Sequence, residues 1–135
     1  MSDSATFPVT VQVQRRDEMY EHREVDDRDG EATSKLVRDQ EGSDDVTLVV
    51  QIPTRDDRML IAISGDRAFV GLEGPSGIFQ FRHRETAGRE PALMLVGGQT
   101  TQIDGSYVWS VQGVAEIART WISGEGHAPG EWERQ

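Results

Sequence analysis

The three histidines, His22, His83 and His127, are the side chains of this 135-residue chain best suited to metal ligation or to general-base work at neutral pH. No two of them stand at the i, i+4 spacing that puts two imidazoles on one helical face. None borders carboxylates at ligand spacing either. All three lie in polar segments, where a solvated loop or turn histidine is the plainer reading. Asp27, Asp29 and Gly30 outline part of a calcium loop. With Gly30 at its sixth position, however, Val25 would be first and Leu36 twelfth, where an acidic ligand and a bidentate glutamate are required. In Gly74-Pro75-Ser76-Gly77 the serine lacks the second flanking glycine of a nucleophile elbow. Gly71, Gly74 and Gly77 do not follow the order of a dinucleotide-binding loop. The chain has no cysteine, which excludes a thiolate nucleophile, a disulfide scaffold, an iron–sulfur cluster and cysteine-based zinc modules. No catalytic residue, cofactor site or metal ligand is assigned on this reading, and the expectation is a protein that is not an enzyme.

Charge is more informative. Fourteen Lys and Arg stand against 24 Asp and Glu, for a formal net charge of -10, with a pI of about 4.6. Such a surface repels phosphate and anionic lipid, so neither nucleic acid nor a membrane is an expected partner, whereas a basic protein is. Residues 1–45 hold 13 acids and 6 bases, and the acid is densest at Glu24, Asp26, Asp27, Asp29 and Glu31. One reading is a solvated loop leading into a helix start, where acids complement the macrodipole. The other is the rim of an interface for a cationic partner, with Asp26, Asp27 and Asp29 as the contact residues. Met1-Ser2-Asp3-Ser4 has neither the basic nor the apolar region of a secretory signal. The apolar runs Val46 to Ile52 and Met59 to Ile63 are strand-sized, far below the roughly 20 residues of a membrane helix. A cytoplasmic location is expected.

The elements that would carry such a surface are mostly strands. Phe7, Val9, Val11 and Val13 alternate with Pro8 and polar residues, the two-residue period of a half-buried strand. Pro8, lacking an amide donor, belongs at a strand start or sheet edge. Met19 to Val25 is a second candidate strand. Gly30 to Glu41 reads as a short helix with a thin apolar stripe (Ala32, Leu36, Val37) that stabilises only by docking. Val46 to Ile52, Met59 to Ile63, Arg67 to Leu72 and Ile78 to Phe81 follow as strands separated by turn residues. The run through Met59 to Ile63 is apolar throughout, as a central strand requires. Arg82 to Pro91 reads as a loop. Ala92 to Val96 and Thr100 to Ile103 flank Gly97-Gly98 as a further pair of a continuing meander. Ser110 is the expected N-cap of a final helix whose Val111, Val114, Ala115, Ala118, Trp121 and Ile122 share one face, and Gly124 is its stop. Burial of Trp121 and Ile122 together would contribute roughly 4–5 kcal/mol. Gly130 to Glu133 returns as an edge strand, with Trp132 the tryptophan expected to be partly exposed.

From Val46 to Trp132 this order of features resembles the first-numbered family of immunity proteins of bacterial polymorphic toxin systems. The matching residues are the hairpin Gly65-Asp66-Arg67-Ala68-Phe69-Val70 and the strand pair Leu95-Val96-Gly97-Gly98-Gln99-Thr100-Thr101-Gln102-Ile103. They continue through the closing helix Val114-Ala115-Glu116-Ile117-Ala118-Arg119-Thr120-Trp121-Ile122 and the ending Gly124, Pro129 and Trp132. Ala68 and Gly71 depart from the bulkier residues common in that hairpin. The resemblance implies a protein that binds and blocks a cognate toxin domain, often a nucleic-acid deaminase, and it implies no catalytic residues.

The expected architecture is α+β in a single domain over residues 1–135. It comprises a mostly antiparallel sheet of about six to seven strands, a C-terminal helix packed on it and a weaker N-terminal helix. The expected function is toxin neutralisation by occlusion of a basic toxin domain. Two alternatives stay open: a small ligand-binding domain or enzyme with a pocket between sheet and helix, and a general protein-interaction module such as a subunit of a secretion machine.

Overall fold

Alternation of apolar and polar residues builds most of the sheet. The computed structural model describes residues 7–15, 21–83, 90–96, 99–124 and 130–135. In chain order the elements are β1 (Phe7–Arg15), β2 (Glu21–Asp27), α1 (Glu31–Arg38), β3 (Val46–Gln51), β4 (Arg58–Ser64), β5 (Arg67–Gly74) and β6 (Gly77–His83). Then come β7 (Ala92–Val96), β8 (Gln99–Ile103), a single 3-10 turn at Gly105–Tyr107, β9 (Trp109–Ser110), α2 (Val111–Ser123) and β10 (Gly130–Arg134). All strand pairs are antiparallel, and the protein is α+β with one helix before the meander and one near its end.

The main sheet has the order β10-β6-β5-β4-β3-β1-β2, with the two-residue β9 pairing beside β5. Ten strands are described, and the path of the main sheet holds seven of them, within the six to seven expected of the sheet. Only β9, too short to show a period, is unmarked in the sequence, and β7 and β8, expected strands, do not continue the meander. They form a separate two-stranded sheet, Ala92 opposite Ile103, that lies over the other face of β3 and β4. Pro8 sits where β1 pairs with β2 but has not yet met β3, whose register begins at Thr10, so its missing donor breaks no bond on that side. Met19 and Tyr20 of the second candidate strand, and Gly97-Gly98 of the later pair, lie outside the described residues.

The period of two sorts β4 onto two cores. Met59, Ile61 and Ile63 face the helices with Val9, Val11, Val13, Leu48, Val50 and Val70. Ala62 and Leu60 face the β7–β8 pair with Phe69, Met94 and Ile103. This explains why Met59–Ile63 of β4 is apolar without interruption: both its faces are covered.

The helix α2 follows its expected caps. The Ser110 hydroxyl accepts from the Gly113 amide at 3.0 Å, and Gly124 closes the helix at φ 72° with its amide donating to the Thr120 carbonyl. Val111, Val114, Ala115, Ile117, Ala118 and Ile122 are buried on the sheet. Trp121 is only half-buried, so Ile117 rather than Trp121 joins Ile122 as the main apolar anchor. The Trp121 ring instead carries the Arg55 guanidinium 5.1 Å above its centroid. The same Arg55 donates to the carbonyls of Trp121 and Ile122 at 2.6 and 3.1 Å, a cation placed on the negative end of α2. Trp132 is half-buried, its ring edge-on to Phe81 at 4.7 Å.

Ile61 is fully buried in the middle of the central strand. Ile61→Ala should cost about 2–5 kcal/mol in urea unfolding, whereas Ile78→Ala, at a position 55% exposed, should cost well under half of that.

Candidate functional site

The acidic stretch forms β2, the following turn and the first turn of α1, and the structure divides its carboxylates between two kinds of work. Asp27 ends β2 on the helix-facing side, where it is 2% exposed. One of its oxygens accepts from the backbone amides of Arg28 and Gly30 at 2.8 and 3.0 Å. The other accepts from the Thr33 amide at 3.0 Å and the Thr33 hydroxyl at 2.6 Å. Burial pushes this carboxyl up, but the hydrogen bonds from Thr33, Arg28 and Gly30 outweigh it and hold the group below the usual aspartate value. Asp27 therefore does not belong to an exposed rim. The expectation failed because sequence alone treats Asp26, Asp27 and Asp29 alike, while the pleat turns only Asp27 inward, onto the open amides of the helix start.

Gly30 completes this junction. At φ 87° it occupies the left-handed region, and a Cβ there would stand 2.6 Å from the Arg119 carbonyl oxygen of α2. Thr33, Ser34 and Val37 are buried beside it, so α1 docks on α2 through small and hydroxyl-bearing residues instead of a broad apolar stripe. Glu31 reaches Arg119 at 3.8 Å, and Arg119 also pairs with Glu116, which links the two helices electrostatically. The helix is shorter than Gly30 to Glu41: turns begin after Arg38, and Gly42 and Ser43 exchange backbone bonds with Gly65 at the β4–β5 turn. Buried Gln40 accepts from Arg15 at 3.0 Å and donates to the Leu36 carbonyl, so the chain leaving α1 is fixed as well.

Asp26 and Asp29 remain at the surface, and with them Glu24. Asp29 accepts from the Glu31 amide at 3.1 Å, a local turn bond that leaves its charge in solvent. Glu24, Asp26 and His22 share the face of β2 turned away from the helices, opposite Thr10, Pro8 and Gln12 of β1. On the helix side, Arg23 and Val25 look toward α1 across an open groove of about 450 Å³, to which Glu24, Ala32, Lys35, Leu36 and Asp39 also contribute. Val25, Ala32 and Leu36 are half-buried and form its apolar floor, and the charged side chains stand around it.

A second polar cluster, invisible in sequence because its members are far apart in the chain, joins the 3-10 turn to β10. The Tyr107 hydroxyl donates to Glu133 at 2.5 Å, and Arg82 donates to the other Glu133 oxygen at 3.0 Å. The bond from Tyr107, seconded by Arg82, holds the Glu133 carboxyl below its usual value, and the same bond pushes the Tyr107 phenol up. A phenol kept protonated against a carboxylate kept ionised is a staple, the reverse of what a tyrosine base needs.

Of the three histidines, His22 is exposed on β2, the side chain of His83 is not among the described ones, and His127 lies outside the described residues. Among the described residues there is no cluster of three or more metal-ligating side chains, and no helix is long and apolar enough to cross a membrane. No protein-family model matches the chain, and no curated protein matches it.

Two substitutions test the junction. Asp27→Ala removes an acceptor from four donors and should cost roughly 2–3 kcal/mol in urea unfolding at pH 7. Because the folded pKa is lowered, the wild-type advantage over Asp27→Ala should be complete above the unfolded value of about 3.9 and shrink as pH falls below it. Gly30→Ala forces both an unfavourable φ and a backbone clash, so a loss of at least about 2 kcal/mol is expected in the same assay.

Proposed function

We propose that this chain is an immunity protein that works in the cytoplasm, binding a cognate polymorphic toxin domain and blocking it by occlusion. The resemblance of its C-terminal two-thirds to the first-numbered immunity family points to this role, with deaminases acting on nucleic acid as the toxin class implied. The observation that carries the reading is the β2–α1 face, where exposed Asp26 and Asp29 lie next to a groove whose half-buried apolar floor of Val25, Ala32 and Leu36 is edged by Arg23, Glu24, Lys35 and Asp39. Interfaces of high affinity combine such an apolar centre with a polar rim. Domains that act on nucleic acid carry basic clefts, and a protein of net charge -10 is steered toward them. Space also favours occlusion over a sheet–helix pocket: the layer between α2 and the sheet is filled by Val111, Val114, Ala115, Ile117, Ala118 and Ile122, each at most 3% exposed.

The reading requires a large secreted protein encoded next to this gene, and the test is growth of bacteria expressing its C-terminal domain, with and without this chain. Restored growth is expected, and toxicity unrelieved by co-expression would contradict the proposal. In the purified complex, the pair Asp26→Asn and Asp29→Asn should slow association about 3- to 10-fold at low salt and flatten its salt dependence. Unchanged kinetics would take these two residues out of the interface.

A further inference from the structure

The free side of β2 offers more than charge. It is the last strand of the main sheet and, among the described residues, pairs only with β1. A terminal strand presents alternate backbone donors and acceptors outward, and seven residues give a template of about 24 Å. Most proteins shield such an edge with a helix or loop, but here α1 packs mainly on α2 and leaves the groove beside Val25 open.

We propose that this edge receives an extended, Lys- or Arg-rich segment of the partner as an added strand. Its basic side chains would lie beside Glu24 and Asp26, and its intervening apolar side chains would enter the groove over Val25, Ala32 and Leu36. The pleat imposes that alternation. Glu24 and Asp26 project to one face of β2 with His22, and Val25 to the other with Arg23, so a strand added in register meets acid on one side and, on the other, an apolar floor edged by Arg23 and Lys35. Charge selects the occupant. Edge-to-edge pairing with a second copy would set acidic β2 against acidic β2 in a chain of net charge -10, whereas a basic strand is drawn to both carboxylates. The inference rests on the proposed function only for the sign of the partner's charge; its geometry comes from β2 and α1.

The probe is a capped nine-residue peptide alternating Lys and Val, added to the full chain and followed by hydrogen–deuterium exchange and fluorescence anisotropy. Slowed exchange confined to residues 21–27 is expected. Binding should be about tenfold weaker for the Glu24→Lys, Asp26→Lys double variant and for a peptide with Ser in place of Val. Both positions are exposed, so the double variant should melt with the wild type. Should it not, the single Asp26→Lys chain replaces it, with about threefold weaker binding expected. Absence of protection in 21–27, or equal binding of the Lys–Ser peptide, would overturn the edge-strand geometry. The growth test reads separately: rescue without strand addition places the toxin elsewhere on the surface, and strand addition without rescue removes the toxin reading alone.

Discussion

One carboxylate fixes the junction between β2 and α1. Asp27 sits where β2 ends and α1 begins, and three of its four hydrogen bonds come from the Arg28, Gly30 and Thr33 amides, the fourth from the Thr33 hydroxyl, so one side chain satisfies the turn and the helix start. Bonds to an ionised acceptor are about twice as strong as neutral ones, and here they fix the turn that brings Gly30 against the Arg119 backbone. Without that approach α1 has little to hold it, because its buried surface is Thr33, Ser34 and Val37 rather than a run of large apolar residues.

The rest of the chain depends on a different constraint, the coverage of β4 on both faces. The helices close one side with a large aliphatic core and the β7–β8 pair closes the other with a smaller one. Links distant in sequence then lock the layers: Arg55 on the last carbonyls of α2, the Thr47 hydroxyl on the Leu95 carbonyl, and Trp109 donating to Phe81. These links tie α2, the β7–β8 pair and β6 into one framework with the main sheet.

Most strands were legible because one-sided burial is written in period two and complete burial in an unbroken apolar run. The caps of α2 were legible for the same local reason, Ser110 and Gly124 acting on their own neighbours. What escaped was decided by tertiary contact. The separate β7–β8 sheet reads in sequence as one more turn of a meander, since nothing local says on which face a hairpin will fold. Arg55 and the Tyr107–Glu133–Arg82 staple join residues dozens of positions apart. Asp27 escaped for the subtlest reason: Asp26 and Asp29 carry the same charge, and only the pleat of β2, which separates Asp26 from Asp27, and the turn after it, which holds Asp29, decide which carboxylate turns in to the helix start.

This division of labour within one acidic segment is the core of the account, since it separates the residue that builds the face from those that present it. Following the Asp27 side-chain carboxyl carbon by NMR through an acid titration of the folded protein tests it most directly. A midpoint clearly below the ordinary aspartate value of about 3.9 is expected, with the Thr33 amide signal moving in the same step. A midpoint at or above that value, or a Thr33 amide indifferent to the titration, would contradict it.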